Sequence, residues 1–367
     1  MVSNATQSVV YRELDPAARA YLEQGDSAPL LRLLAENQTA DGAGGTGNDS
    51  SSYSAALFVA VSCQDYPQIY DMSSPLSMRR QQRDQSMALE QRSDPGVYAP
   101  FTIAEFDRIP LDTSVLDMCL DWKPPMAAPL YPPGEPVASN AQFTTAPVLV
   151  LSGDLDSLTP ALQGREAANL FEHGRQIIVE NGFHVTAGGN QDDCASVLVQ
   201  RFVSTLDPGD TSCTQHIAEV HLVPNFVHTS QELDPATPVA GNQGTDADLR
   251  VAAAAAYAVG DVLARWWVNL TGDGVGFLGG SFSYAAPANI TYFTLDNVNW
   301  VDDVQVSGKM NWDYNYPGGV IARVRVDGGA NESGSLSFTW NSHTPLAYVA
   351  ITGKIGSRAI VATMYAP

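Results

Sequence analysis

Positive charge is scarce in this chain: 19 Lys and Arg stand against 40 Asp and Glu, a net charge of −21 over 367 residues. Such a surface repels phosphate backbones and anionic lipid, so neither nucleic acid nor a membrane surface is an expected partner. Apolar runs long enough to span a bilayer are also lacking. The first stretch, MVSNATQSVVYRELDPAARAYLEQGD, has neither a basic n-region nor an apolar h-region, so no signal peptide is expected. The four cysteines, Cys63, Cys119, Cys194 and Cys213, contain no C-x-x-C pair, which sets aside zinc and thioredoxin-like chemistry. No metal or cofactor is expected. Charged residues make up only 16%, below the usual quarter, while Gly, Pro, Ser, Thr and Asn are plentiful, a balance typical of extracellular proteins. An even cysteine count in that setting fits two disulfides. Three pairings are open. The nearest-neighbour one, Cys63 with Cys119 and Cys194 with Cys213, keeps each bridge within one segment, and the alternative is four reduced, buried thiols.

What is present organises the chain. A hydrophobic content of 44% can bury a substantial core. Apolar residues recur at helical spacing from Asp15 to Asn37, broken at Gly25 and restarted at Pro29, which predicts two short helices. ADGAGGTGNDSSS reads as a surface loop, and YSAALFVAVSCQDYP and DMSSPLSMRRQQRDQSMALEQ read as further helices. The Pro-rich KPPMAAPLYPPGEP is a segment boundary. After it comes APVLVLSGDLD, a short apolar run ending at Gly and Asp, the pattern of a parallel strand buried on both faces. PALQGREAANLF, RQIIVE and DDCASVLVQRFVSTL continue it as helix, strand, helix, a parallel α/β unit. A low-charge connector leads into the Ala-rich helix DADLRVAAAAAYAVGDVLARWW. Beyond Gly272 the residues alternate apolar with polar between turn-rich gaps, which predicts an antiparallel β domain, a small sandwich or barrel. The expected organisation is therefore a helical region over 1–140, an α/β segment over 141–214, connector and helix over 215–271, and an all-β domain over 272–367.

One pair of residues carries chemistry. Asp156 sits just past the strand VLVL, and His184 sits in NGFHVTA after one further helix and strand. A carboxylate at the first position holds an imidazole at the second in one tautomer and stabilises the imidazolium formed when it takes a proton from a nucleophile. Asp154 competes for the acid's place, since an Asp after a strand also serves as a helix N-cap. The other histidines, His173, His216, His221, His228 and His343, lack a comparable context.

At these residues the chain resembles a family. APVLVLSGDLDSLTP, NGFHVTA and CASVLVQRFVSTLDPGDTSC are similar to the C-terminal segment of the TAP-like (tripeptidyl-aminopeptidase-like) serine hydrolases, placed in peptidase family S33 of the α/β-hydrolase superfamily. DPAARAYLEQGDSAPLLRLL, ALFVAVSCQD and PFTIAEFDRIPLDTSVLDMCLDW resemble the helical cap of such enzymes. AAAAAYAVGDVLARWW and GVGFLGGSFSY resemble a β-rich extension. The resemblance implies an α/β-hydrolase fold in part, with 1–140 as cap, and an aminopeptidase that releases short N-terminal peptides through Asp156 and His184. It also implies the nearest-neighbour disulfides, an extracellular setting for the intact family member, and an acidic cap residue on the substrate ammonium, for which Asp65 in CQDYP is the candidate.

Against the resemblance stands a missing motif. Family members carry their nucleophile in G-x-S-x-G, with an oxyanion-hole motif upstream of the cap. GDSAP at Gly25 lacks the final Gly, and GGSFS at Gly279 follows His184, the wrong order. The expectation is a C-terminal fragment, nearly inert alone, whose serine and oxyanion donors are encoded elsewhere. A separately encoded N-terminal half could dock on its unpaired sheet edge. The other reading is a non-catalytic binding or assembly module built on the cap and β domain, with Trp300, Trp312, Trp340, Tyr314 and Tyr316 lining a ligand surface.

Overall fold

The computed structural model describes residues 8–43, 55–66, 68–98, 101–108, 117–123, 137, 140–156, 159–189, 193–217, 219–220, 222–268, 272–287, 289–313, 319–328, 333–342 and 347–367. The chain divides into two compact units. One is Asn48–Phe143; the other joins Met1–Gly47 to Thr144–Pro367.

The larger unit begins with helix α1 (Ser8–Arg19), which continues into a π-helical turn, Ala20–Gln24. Gly25 ends it in the left-handed conformation, φ 73°, a C-cap that costs a glycine nothing. Helix α2 (Ala28–Ala43) follows. The break falls where the sequence places it.

In the smaller unit, α3 (Ala55–Asp65), α4 (Leu76–Ser93) and α5 (Ile103–Phe106) surround a small core of Cys63, Tyr70, Met72, Cys119 and Leu120. Cys63 is bonded to Cys119. Arg79, only 3% exposed, has no carboxylate among its hydrogen-bond partners in the described residues. Its guanidinium donates to the carbonyls of Ser74 (2.9 Å), Leu120 (3.0 Å) and Trp122 (2.7 Å), and to that of Met72. A buried cation is tolerated there because each of its three nitrogens donates to a carbonyl dipole.

In the larger unit, strand β1 (Val148–Gly153) pairs in parallel with β2 (Gly174–Val179), in register from Val148 beside Gly174 to Gly153 beside Val179. Helix α6 (Ala161–Asn169) makes the crossover. Glycine at 164 lets α6 approach the sheet, where a Cβ would lie 2.2 Å from the Ser152 hydroxyl. A short turn, α7 (Thr186–Gly189), and helix α8 (Cys194–Thr205) complete the segment. The Cys194–Cys213 bond ties α8 to a 3-10 turn whose Thr214 carbonyl accepts from the Glu180 amide at 2.9 Å.

Downstream, the expected sandwich or barrel is instead one nine-stranded sheet with a helix as its cover. Its strands are β3 (Thr237–Pro238), β4 (Asp273–Val275), β5 (Ser281–Ala285), β6 (Ile290–Asn299), β7 (Gln305–Asp313), β8 (Val320–Asp327), β9 (Gly334–Trp340), β10 (Tyr348–Ile355) and β11 (Arg358–Tyr365). They lie in the order β3-β11-β10-β9-β8-β7-β6-β5-β4, an antiparallel meander. Alternation sends one row inward: Phe293, Met310, Ala322, Phe338, Ile351 and Ala362 lie side by side across six strands. All are buried. Each large member contributes roughly 1.5–3 kcal/mol. A sheet with one apolar face needs a cover, and helix α9 (Asp246–Val268) supplies it, with Ala252 to Ala256 all buried in the same core. Small side chains let the helix lie close. Every element assigned within 272–367 is an antiparallel strand, as expected, and α9 from the preceding segment covers the sheet.

The division at 140 also differs from the sequence expectation. Residues 1–47 are not part of a 1–140 cap region but of the larger unit. Ala17, Ala20 and Leu33 share the hydrophobic core of α9 and the sheet, and ion pairs join the same elements. Buried Arg265 of α9 pairs with Glu13 of α1 and, at 2.7 Å, with Glu36 of α2, while Arg32 of α2 reaches Asp261 of α9 at 2.6 Å.

Candidate active site

Two strand ends build the site. Past β1, the chain turns so that the Asp154 amide donates to the Val179 carbonyl at 3.2 Å and the Leu155 amide to the Gly182 carbonyl at 3.0 Å. Past β2, Gly182 turns back on Val179 at 3.2 Å. The two turns touch backbone to backbone: a Cβ on Gly153 would sit 2.2 Å from the Gly182 oxygen and 2.7 Å from the Phe183 oxygen. Glycine at 153 is therefore what lets the turns dock. The second turn is strained as well, since Asn181 (φ 52°) and Val185 (φ 56°) are left-handed without being glycine. For a β-branched residue such as Val185 that conformation costs roughly 1–3 kcal/mol and persists only where surrounding contacts hold it.

Between the turns lies the pair. His184 Nδ1 is 3.0 Å from Asp156 Oδ2, with the Asp156 side chain 4% exposed and that of His184 29% exposed. Thr159 also holds the carboxylate: its amide donates to Oδ1 at 2.9 Å and its hydroxyl to Oδ2 at 2.6 Å. That hydroxyl also lies 3.3 Å from His184 Nδ1. A carboxylate facing Nδ1 selects the tautomer protonated there, which leaves Nε2 with its lone pair. Among the described residues Nε2 meets no hydrogen-bond partner. The arrangement can take a proton at Nε2 and stabilise the resulting charge through Asp156.

The ambiguity between the two aspartates is resolved by position. Asp154 is exposed at the turn, whereas Asp156 is buried against the imidazole. Asp65 closes α3 in the smaller unit, and its side chain lies outside the described features. The four cysteines are bonded Cys63 to Cys119 and Cys194 to Cys213. Ser27 lies between the π-helical turn and α2, and Ser281 opens β5; neither follows a parallel strand. Among the described residues the only hydroxyl in reach of His184 is that of Thr159. Trp300, Trp312 and Trp340 are buried in the sheet-and-helix core and line no surface, and Tyr314, Tyr316 and His343 lie outside the described residues.

Residues 110–213 match the family model described as TAP-like protein. The matched family is one of α/β-hydrolases, and the match takes in both members of the pair, Thr159, α8 and the Cys194–Cys213 bridge. Neither a curated protein nor a solved structure matched the chain. Sequence reasoning missed Thr159, Gly153 and Gly182. A signal for the first existed, because an Asp followed three residues later by Thr is a common side-chain-to-backbone turn.

Asparagine at 156 tests the tautomer. Asp156→Asn keeps the shape but removes the acceptor charge. The Nδ1–H form of His184, dominant in the parent, should become the minority, read from imidazole nitrogen shifts in NMR spectra. Retention of the parent spectrum would show that the carboxylate does not orient the ring.

Proposed function

We propose that this chain supplies the acid and base of a serine-hydrolase relay of the TAP-like kind. In this reading His184 is the general base, Asp156 its orienting partner, and Thr159 the group that fixes Asp156. Nucleophile and oxyanion donors come from a polypeptide segment outside these 367 residues, which pairs along the two-stranded sheet. The reaction is acyl transfer from a peptide with a free N-terminus, and Asp65 is the candidate for its ammonium. The observation that carries the reading is the 3.0 Å contact of a partly exposed imidazole with a buried carboxylate, inside the stretch that matches the family. Support for a docked segment comes from the sheet, where β1 and β2 pair only with each other among the described residues. Parallel strands with open edges accept a further strand.

Co-purifying the chain with an α/β-hydrolase half that carries G-x-S-x-G, and assaying a chromogenic tripeptide anilide, tests this. Alone, the chain should stay at the buffer rate. The complex should turn over, falling by about 10⁶ with His184→Ala and about 10⁴ with Asp156→Asn. Asp65→Asn should raise KM for substrates with a free amine while leaving N-acetylated ones alone. A stable complex whose turnover is indifferent to His184→Ala overturns the reading.

A further inference from the structure

Tyr11 of α1 touches both turns of the site. Its hydroxyl donates to the Leu155 carbonyl at 2.8 Å, and its ring meets that of Phe183 edge-on, centroids 5.0 Å apart. Leu155 precedes Asp156 in the chain, and Phe183 precedes His184. One residue thus holds the base of each turn. The same helix is anchored on its other side. Glu13, two residues on and 3% exposed, is the ion-pair partner of Arg265 in α9. The Arg12 carbonyl accepts from the Val223 amide at 3.1 Å.

We propose that α1 is a strut between α9 and the Asp156–His184 turns, and that Tyr11 is a positioning residue that sets the contact of carboxylate and imidazole. Its consequence for turnover rests on the relay reading above; its consequence for the pair's geometry does not. The strained second turn explains why a clamp is needed there. With left-handed residues on both sides of His184, at 181 and 185, the turn relaxes unless something outside it holds its shape. The Phe183 ring is the handle that Tyr11 holds. By this account the helix-covered nine-stranded sheet is part of the site's construction, because its core helix fixes the far end of the strut.

The test uses the full chain and reads the His184 Nδ1–H proton by NMR, so it needs no enzymatic turnover. Tyr11→Phe keeps the ring and loses the hydroxyl. Exchange of the Nδ1–H with solvent should quicken roughly fivefold, the worth of one ordinary hydrogen bond. Tyr11→Ala loses the ring contact too, and exchange should quicken roughly thirtyfold, with a visible share of the other tautomer. Amide protection in α9 should stay at the parent level in both. A folded Tyr11→Ala with parent exchange and parent tautomer overturns the proposal. Should Tyr11→Ala fail to fold, Tyr11→Phe decides alone, and parent exchange there overturns it. Absent turnover in the reconstituted complex, with these NMR effects present, would sink the relay reading and leave the strut standing.

Discussion

Arg265→Ala should lower the unfolding free energy of the larger unit by about 3–5 kcal/mol, the usual result of removing one member of a buried charge network. Arg12, Arg32 and Arg265 face Glu13, Glu36 and Asp261 between α1, α2 and α9. Without Arg265, Glu13, 3% exposed, loses its ion-pair partner, and Asp261 loses one of the cations that face it, with Arg12 and Arg32 still nearby. Desolvation is the first effect on Arg12, Arg32 and Glu36. Burial pulls the Arg12 guanidinium down and holds the Glu36 carboxyl above the usual carboxylate range, against the attraction of Arg265 and Arg32. Burial also works against the Arg32 charge, but Asp261, Glu13 and Glu36 outweigh it and raise its pKa. The sign of the pH effect follows. In the variant Glu36 takes up a proton more readily still, which discharges the orphaned site, so the deficit should shrink as the pH falls. Urea titrations of parent and variant at neutral and mildly acidic pH measure both. A deficit under about 1 kcal/mol would mean that water reaches the cluster and the network is not a desolvated one. Because α1 hangs on this network, the strut account adds that Arg265→Ala also loosens the His184 Nδ1–H contact.

Gly153→Ala should break the site while leaving the rest of the fold in place. The added Cβ would meet the Gly182 oxygen at 2.2 Å, its carbonyl carbon at 2.4 Å and the Phe183 oxygen at 2.7 Å. Every one of these is backbone, so no side chain can swing aside. The turns must part, and overpacking of that kind costs typically 1–3 kcal/mol. A shift of about 1 Å in the Asp156–His184 contact should lower turnover of the reconstituted complex on the order of 100-fold. Gly188→Ala is the control: it lies in α7, close to His184, yet its Cβ would meet only a Val185 methyl at 3.6 Å, ordinary contact. Thermal melts and the Nδ1–H resonance compare the two. Parent behaviour in Gly153→Ala would show that the turns are not docked through this glycine.

Local features were legible because a local cause produces each. The helix break at Gly25, the parallel strand at Val148–Gly153 and the meander beyond Gly272 each follow from a period or a turn residue within a short window. Asp156 and His184 were legible through their places after successive strands. The choice between Asp154 and Asp156 was not, since both stand in one turn and only packing separates an exposed carboxylate from a buried one. Gly153 escaped because its role depends on the facing turn at Gly182 and Phe183, distant in sequence, whereas Thr159 stands three residues from Asp156 and its local turn signal went unused.

From the order of residues alone come the antiparallel strands, the parallel crossover, the candidate acid and base, and the choice of bridge partners that the resemblance implied. Tertiary structure alone decided that residues 1–47 join the far end of the chain, that a helix rather than a second sheet covers the meander, and which aspartate meets the imidazole. The reason is physical. Periodicity is a property of neighbours, whereas Glu13 and Arg265 meet across 252 positions only once packing has brought α1 and α9 together, where a buried charge is tolerable only if paired.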